Sequence, residues 1–338
     1  MFSDCSVFGA GDSCSVWVLR FLSSPRFSAS TVLAYQAALK AFLGWCGRSG
    51  VVCPDERAIV RYRAWLLERY KLSTAQSYFA VVKVFFSWLG RHGLYEDVAC
   101  GVKGVSVNRS VPLRDYLSGN DMMRVLSLLR RRADLSGSVH AVRDYVMVLL
   151  MVCCGLRVTE VTRLDVGDVI STSSGHQILV HGKGRDGKSD AVNVPDGVVD
   201  AIHRWLCVRS AEVKHFTKAT PLFVSFGGRN DGGRLCSRTV SQIVKRALVN
   251  AGFDSPRLTA HSLRHTAVTL ALMAGASLQE AQQYARHSRI ETTQIYAHNL
   301  EAQSNRCSRL VERMVIGGMT RGRKNPHIYP KRRERRGI

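Results

Sequence analysis

From Ser28 onward, apolar residues recur at helical spacing. Val32, Tyr35, Leu39, Phe42 and Leu43 fall on one face of SASTVLAYQAALKAFLGWC, and Ser28 offers an N-cap oxygen. The same period predicts a second helix over 55–70, opened by Pro54-Asp55. A third follows over 73–89, capped by Ser73 and stopped by Gly90. Tyr35, Phe42, Trp45, Trp65, Phe85 and Trp88 are then expected to form the core of a small helical unit that begins near residue 25. An aromatic stripe at this spacing reads as core rather than as a platform for stacked bases.

The pattern breaks between Cys100 and Leu113, where GVKGVSVNRSVP has glycine, serine, proline, two bases and no acid: a linker signature. Beyond it, helices are expected over 119–132 and 138–154. HQILVH (176–181) and SDAVNVP (189–195) alternate as two strands around the loop GKGRDGK, which makes a hairpin. Further helices fit 196–209, 237–251, 261–274, 277–284 and 291–298. The expected fold is mostly α with a small antiparallel β-sheet. Residues 1–106 form a helical domain, 107–113 a linker, 114–316 a second domain and 317–338 a basic, disordered tail. No repeat of fixed period points to a solenoid.

Charge narrows the field. The chain of 338 residues carries 48 Lys+Arg against 26 Asp+Glu, a formal +22. An excess of that size favours a polyanion, nucleic acid first and an anionic membrane surface second. The tail from Arg321 holds eight Lys/Arg against Glu334 alone, so most of the surplus belongs to the folded body. A spanning helix needs about 20 apolar residues, and the longest run here, Val146 to Leu156, has 11. The first residues, MFSDCSVFGAGDSC, have an acid and no basic segment, unlike a secretory signal. Ten cysteines form no CxxC pair and no zinc-ligand spacing with histidine, as expected of a protein in a reducing cytoplasm.

Six residues stand in contexts that packing alone does not explain. Arg157 directly ends an apolar helix at CCGLRVTEVTRL, Lys183 sits in the loop GKG, and His261 and Arg264 share a helical face in AHSLRHT. His287 opens HSRIETTQIYAH, with Tyr296 nine residues further on. Two arginine forks bind the non-bridging oxygens of a phosphodiester. Histidines donate to those oxygens or move a proton near neutral pH. A loop lysine hands a proton to a departing sugar oxygen, and a tyrosine serves as nucleophile. No acidic pair is placed for Mg²⁺, and no GxxxxGK[ST] segment would bind ATP, so no cofactor is expected.

GLRVTEVTRLDVGDV, VHGKGRDGKSDAVNVP and LTAHSLRHTAVTLALMAGASLQEAQQYARHSRIETTQIYAH, in that order, resemble the tyrosine recombinase (phage integrase) family, and its Xer- and Cre-like members in particular. The resemblance is strong over about 150–300 and moderate over about 25–100, where the N-terminal unit is similar to a core-binding domain. It implies a two-domain clamp with a DNA breaking-rejoining catalytic domain. By position, Arg157 and Arg264 would clamp the scissile phosphate, with Glu160 supporting the first. Lys183 would be the general acid, His261 would assist proton transfer and His287 would bind the phosphate. Tyr296 would become 3′-phosphotyrosyl. The resemblance further implies double-stranded DNA sites as partners, a homo-tetramer working through a Holliday junction, and no membrane, metal or ATP. A type IB topoisomerase-like enzyme uses similar chemistry, and a non-catalytic DNA-binding protein would keep only the shape.

Two departures stand out. The family has LGH before its second histidine, where this chain has Ala285-Arg286-His287, so Arg286 must leave the left-handed turn or accept strain. Lys188 rivals Lys183, which is favoured because GKG matches directly. After Tyr296, the residues Leu300, Leu310, Val311, Met314 and Val315 form an amphipathic segment that docks either on its own domain or on a neighbouring protomer.

Overall fold

A computed structural model describes residues 11–106, 116–181, 187–212 and 217–304, with a few further positions between 307 and 315. Lys183, the 107–113 linker and the 317–338 tail lie outside the described residues. The chain divides into two compact units, 1–111 and 112–338.

The first unit is four helices: α1 (Gly11–Leu22), α2 (Ala29–Arg48), α3 (Glu56–Arg69) and α4 (Leu72–Arg91). Ser28 caps α2 by accepting from the Thr31 amide at 3.3 Å, and Asp55 caps α3 by accepting from the Ala58 amide at 2.7 Å. Phe42, Trp45 and Phe85 are buried as expected, while Tyr35, Trp65 and Trp88 pack half-buried around them. Three expectations are corrected. The unit starts with α1, whose Phe21 sits edge-on against Phe85 at 5.3 Å and Trp88 at 5.6 Å. Helix α4 begins at Leu72 with no side-chain cap, and Gly90 lies inside it, because the left-handed stop falls at Gly93 (φ 63°). The stretch read as linker from Cys100 is packed at first: Val102 and Val105 are buried, and Lys83 Nζ donates to the Val102 carbonyl at 2.7 Å.

The second unit is built on α6 (Val139–Cys153). Its apolar residues are buried nearly all round, between α5 (Gly119–Ser136) and α8 (Asp196–Glu212). The sheet has three antiparallel strands in the order β1 (Val169–Thr172), β2 (Gly175–His181) and β3 (Lys188–Val194). The hairpin was legible and β1 was not: four residues with half their positions exposed carry too little alternation. The unit is completed by α7 (Val158–Arg163), α9 (Ser237–Asn250), α10 (Ala260–Met273), α11 (Leu278–Ala285) and α12 (Glu291–Ser304). Among the described residues no helix is long and apolar enough to cross a membrane.

Candidate active site

The break after α6 creates the site. Gly155 takes φ 57°, and a Cβ there would lie 3.0 Å from the Tyr284 ring, so neither the turn nor the approach admits a side chain. Tyr284 holds the other side, donating its hydroxyl to the Val152 carbonyl at 2.8 Å. Arg157 therefore does not end the apolar helix. It is the N-cap position of the short helix α7. Glu160, three residues on, reaches back to accept from the Arg157 amide at 2.7 Å and from its Nη1 at 2.5 Å.

Arg264, on α10, is 2% exposed and donates Nη1 to the Gly155 carbonyl at 2.7 Å. Its Nη2 is buried without a hydrogen-bond partner. Burial, together with Arg157 and Arg286 nearby, pulls this guanidinium down to about 10, so it stays charged at neutral pH. An unpartnered donor on a buried cation is rare in a merely structural role. The arrangement leaves a donor of Arg264 unpaired beside the cleft that this residue lines.

Arg286 keeps the left-handed turn that glycine would take, at φ 51° and ψ 46° as the C-cap of α11. For a residue with a Cβ this costs about 1–2 kcal/mol. Its guanidinium meets the Glu160 carboxylate at 2.7 Å and the carbonyls of Tyr284 at 2.9 Å and Gly155 at 3.1 Å, while its own carbonyl accepts from Arg157 Nη2 at 3.2 Å. Burial pushes the Glu160 carboxyl up. Arg286, the Arg157 amide and the Arg157 guanidinium outweigh that and hold it below the usual range.

His287 follows at once, its Nδ1 2.9 Å from the Thr293 hydroxyl oxygen. Burial first, then Arg264, Arg157, His265 and Arg286, pulls its ring down to about 4, so it is neutral at pH 7. The Thr293 hydroxyl can either donate to Nδ1 or accept from it, and where it donates the one ring proton sits on Nε2. Tyr296 on α12 is 9% exposed, its ring stacked 6.1 Å from His287 and tilted 5.0 Å from His265. His261 is exposed at the start of α10, its ring 5.0 Å from that of His265.

Arg157, His261, Arg264, His287 and Tyr296 thus line one cleft of about 600 Å³, with Arg286, Asp190 of β3 and the unanticipated His265. His265 had a signal, since it lies four residues after His261 and on the same helical face. Lys188 stands elsewhere: its Nζ is 2.6 Å from both Asp165 and Asp168.

The model for the phage integrase family matches residues 116–303, more than half of the chain. The chain belongs to the phage integrase family. Its first unit matches the N-terminal SAM-like domain of phage integrases over residues 19–93. Among relatives of this integrase-family chain, tyrosine recombinase XerC of Corynebacterium efficiens is 36% identical over 156 residues, 46% of either protein. Tyrosine recombinase XerD of Caulobacter vibrioides is 31% identical over 187 residues, 55% of this chain and 58% of the relative. The chain spans about half the length of the curated relatives it matches. The fold is that of the XerH site-specific recombinase in its post-cleavage complex with a palindromic difH substrate, at 20% identity and a TM-score of 0.67 over 81% of this chain and 78% of that one. A dimer of lambda integrase residues 75–356 bound to a COC′ core site aligns at 16% identity with a TM-score of 0.59, over 82% of this chain and 95% of that one. Both are mostly helical folds shared with this integrase-family chain.

Proposed function

We propose that this chain is a site-specific DNA recombinase that cleaves and rejoins strands through a 3′-phosphotyrosyl intermediate. The observation that carries the reading is the cleft itself, where Tyr296 shares a wall with Arg157, Arg264 and His287. The Tyr296 phenol oxygen attacks phosphorus and forms the ester, while the bond to the 5′-oxygen breaks and that oxygen leaves with a proton from Lys183. The Arg157 and Arg264 forks and His287 Nε2 stabilise the charge on the non-bridging oxygens. His261 assists the proton leaving the phenol, and Glu160 orients Arg157. A role for Lys183 is supported by the hairpin around it, since β3 contributes Asp190 to the cleft. The energy of the broken bond is kept in the ester, so rejoining needs no ATP.

The formal +22 charge supports duplex DNA as the partner, met in the cytoplasm. Four protomers on two DNA sites, resolving a Holliday junction, fit the task of exchanging strands for a mobile element, a phage or a resolution system. Leu310, Val311, Met314 and Val315, each more than half exposed, offer an apolar stripe for a neighbouring protomer.

The test is covalent trapping. The chain is incubated in EDTA with a randomised library of nicked duplexes, and SDS-resistant protein–DNA complexes are collected and sequenced. The expected outcome is one recurrent sequence, with no adduct from Tyr296→Phe although its DNA binding is kept. Adducts persisting in Tyr296→Phe would overturn the nucleophile. Relaxation of any supercoiled plasmid without sequence preference would replace the recombinase by a topoisomerase.

A further inference from the structure

We infer that Arg286, which stands where the resembled family has glycine, is a positioning residue that locks both phosphate-binding arginines through Glu160 and the Gly155 carbonyl. The inference rests on the recombinase reading above and adds to it a residue to which that reading gives no task.

The geometry is specific. Arg286 is the sole non-glycine residue with positive φ among the described residues. Its side chain leaves α11 and crosses to the segment after α6, where its Nη2 reaches Glu160 Oε2 at 2.7 Å and the Gly155 carbonyl at 3.1 Å. Those two acceptors also hold the clamps: Arg157 Nη1 donates to Glu160 Oε1, and Arg264 Nη1 donates to Gly155. One fork therefore ties the anchor of Arg157 to the anchor of Arg264. Its Nη1 meanwhile donates to Tyr284 in the turn that presents His287. Both terminal nitrogens are engaged by protein acceptors, Nε is buried without a partner and the side chain is 9% exposed, so Arg286 supports the clamp from the cleft wall it shares with Arg157 and Arg264. A glycine would make the same turn without strain and without any of these contacts.

The pH profile separates positioning from bulk packing, because Arg286 also adds charge beside His287. The other groups facing that ring are Arg264 and His265 on α10, Arg157 at the start of α7 and Tyr296 on α12. Loss of the Arg286 charge therefore moves His287 toward its ordinary value.

The experiment compares the full chain with Arg286→Gly and Arg286→Lys, the glycine variant being suited to the backbone. Three quantities are read: adduct formation at saturating protein on the trapped DNA, the Kd for that DNA, and the titration of His287 by NMR. Arg286→Gly is expected to slow adduct formation at least tenfold, with the Kd changed less than threefold and the His287 midpoint raised. Arg286→Lys, which keeps charge but loses the fork, should recover the midpoint and only part of the rate. A glycine variant with wild-type rate and midpoint overturns the inference. Inorganic vanadate, a five-coordinate phosphate mimic, provides an arm independent of cleavage. If wild type forms no adduct at all, the recombinase reading fails, yet vanadate binding weakened at least fivefold in Arg286→Gly still upholds the lock. Equal vanadate binding by the two overturns it.

Discussion

Two charged clusters lie close together in the sequence of the second unit and are built on opposite plans. At the base of the hairpin, Lys188 and Arg234 face Asp165 and Asp168. Lys188 meets both carboxylates at 2.6 Å, and Arg234 Nη2 meets Asp165 at 2.5 Å. Two cations answer two anions, and Asp165 Oδ1 and Oδ2 each have a partner. In the cleft, Arg157, Arg264 and Arg286 gather around Glu160, with Asp190 of β3 the one further acid in the lining. Burying surplus charge is costly unless something neutralises it. The balanced cluster serves the fold, and the unbalanced one leaves positive charge on the cleft wall. Three cations against two acids leave one positive charge, which the single negative charge of a phosphodiester would balance.

The largest effect should come from Arg264→Met. Its buried fork is the donor pair with one arm unpartnered, so adduct formation is expected to fall about 10³-fold, ~4 kcal/mol of transition-state stabilisation. Thermal stability without DNA should hold or rise, since a surplus buried charge is replaced by an apolar chain of similar length. Single-turnover trapping and a melting curve measure the two. A variant that cleaves normally, or one that loses both rate and stability, would make the cleft an ordinary ion cluster.

A second, smaller effect follows from the same surplus. His287 titrates near 4 when folded, against an ordinary value of 6.5. The unfolded chain therefore binds more protons between those limits, and stability rises with pH there. The contribution is fully present above about pH 6.5 and is lost as pH falls through 4. The slope is at most about 1.4 kcal/mol per pH unit. Urea midpoints between pH 4 and 7 should show it, and His287→Gln should flatten that part of the curve. The hairpin-base cluster loses its contribution at lower pH, because Lys188 and Arg234 hold the Asp165 carboxyl below its ordinary 3.8 against the opposing pull of burial. An unchanged slope in His287→Gln would show the ring to be solvated.

What could be read beforehand follows the same division. Periodicity found α2 with its cap Ser28 and set the start of α3 at Pro54-Asp55, where Asp55 is the cap, because each is decided within four residues of chain. The six-residue α7 is too short to show a period, so Arg157 read as the end of one helix when it is the cap of the next. Tyr296, His287 and the Arg264 face were legible as chemistry, since a residue type at a set spacing is a local fact. The tie between Arg286 and Glu160 spans 126 residues, and nothing near either one announces the other. Gly155 was visible as a break, but the Tyr284 ring 3.0 Å from its missing Cβ was not.

The smallest effect gives the sharpest contrast, because Lys188 of the balanced cluster and Lys183 of the hairpin loop are rivals for the role of general acid. Lys188 is held by two carboxylates at the base of the hairpin, about one-quarter exposed. An ammonium so held gives up its proton reluctantly, and Asp165 and Asp168 keep Lys188 above its ordinary value even though burial pulls it down. It is a poor donor to a departing alkoxide. Lys188→Met should therefore cost ~1 kcal/mol of stability, a modest figure because the pair is partly solvated, and change adduct formation less than threefold. Lys183→Ala should do the reverse, leaving the melting temperature within a degree or two and slowing cleavage about 10²-fold. A substrate with sulfur at the 5′-bridging position separates the lysines further. A thiolate leaves without a proton, so it should restore the rate to whichever variant has lost the acid and to no other. Rescue of Lys188→Met rather than Lys183→Ala would turn the balanced cluster into part of the active site and end the distinction between the two.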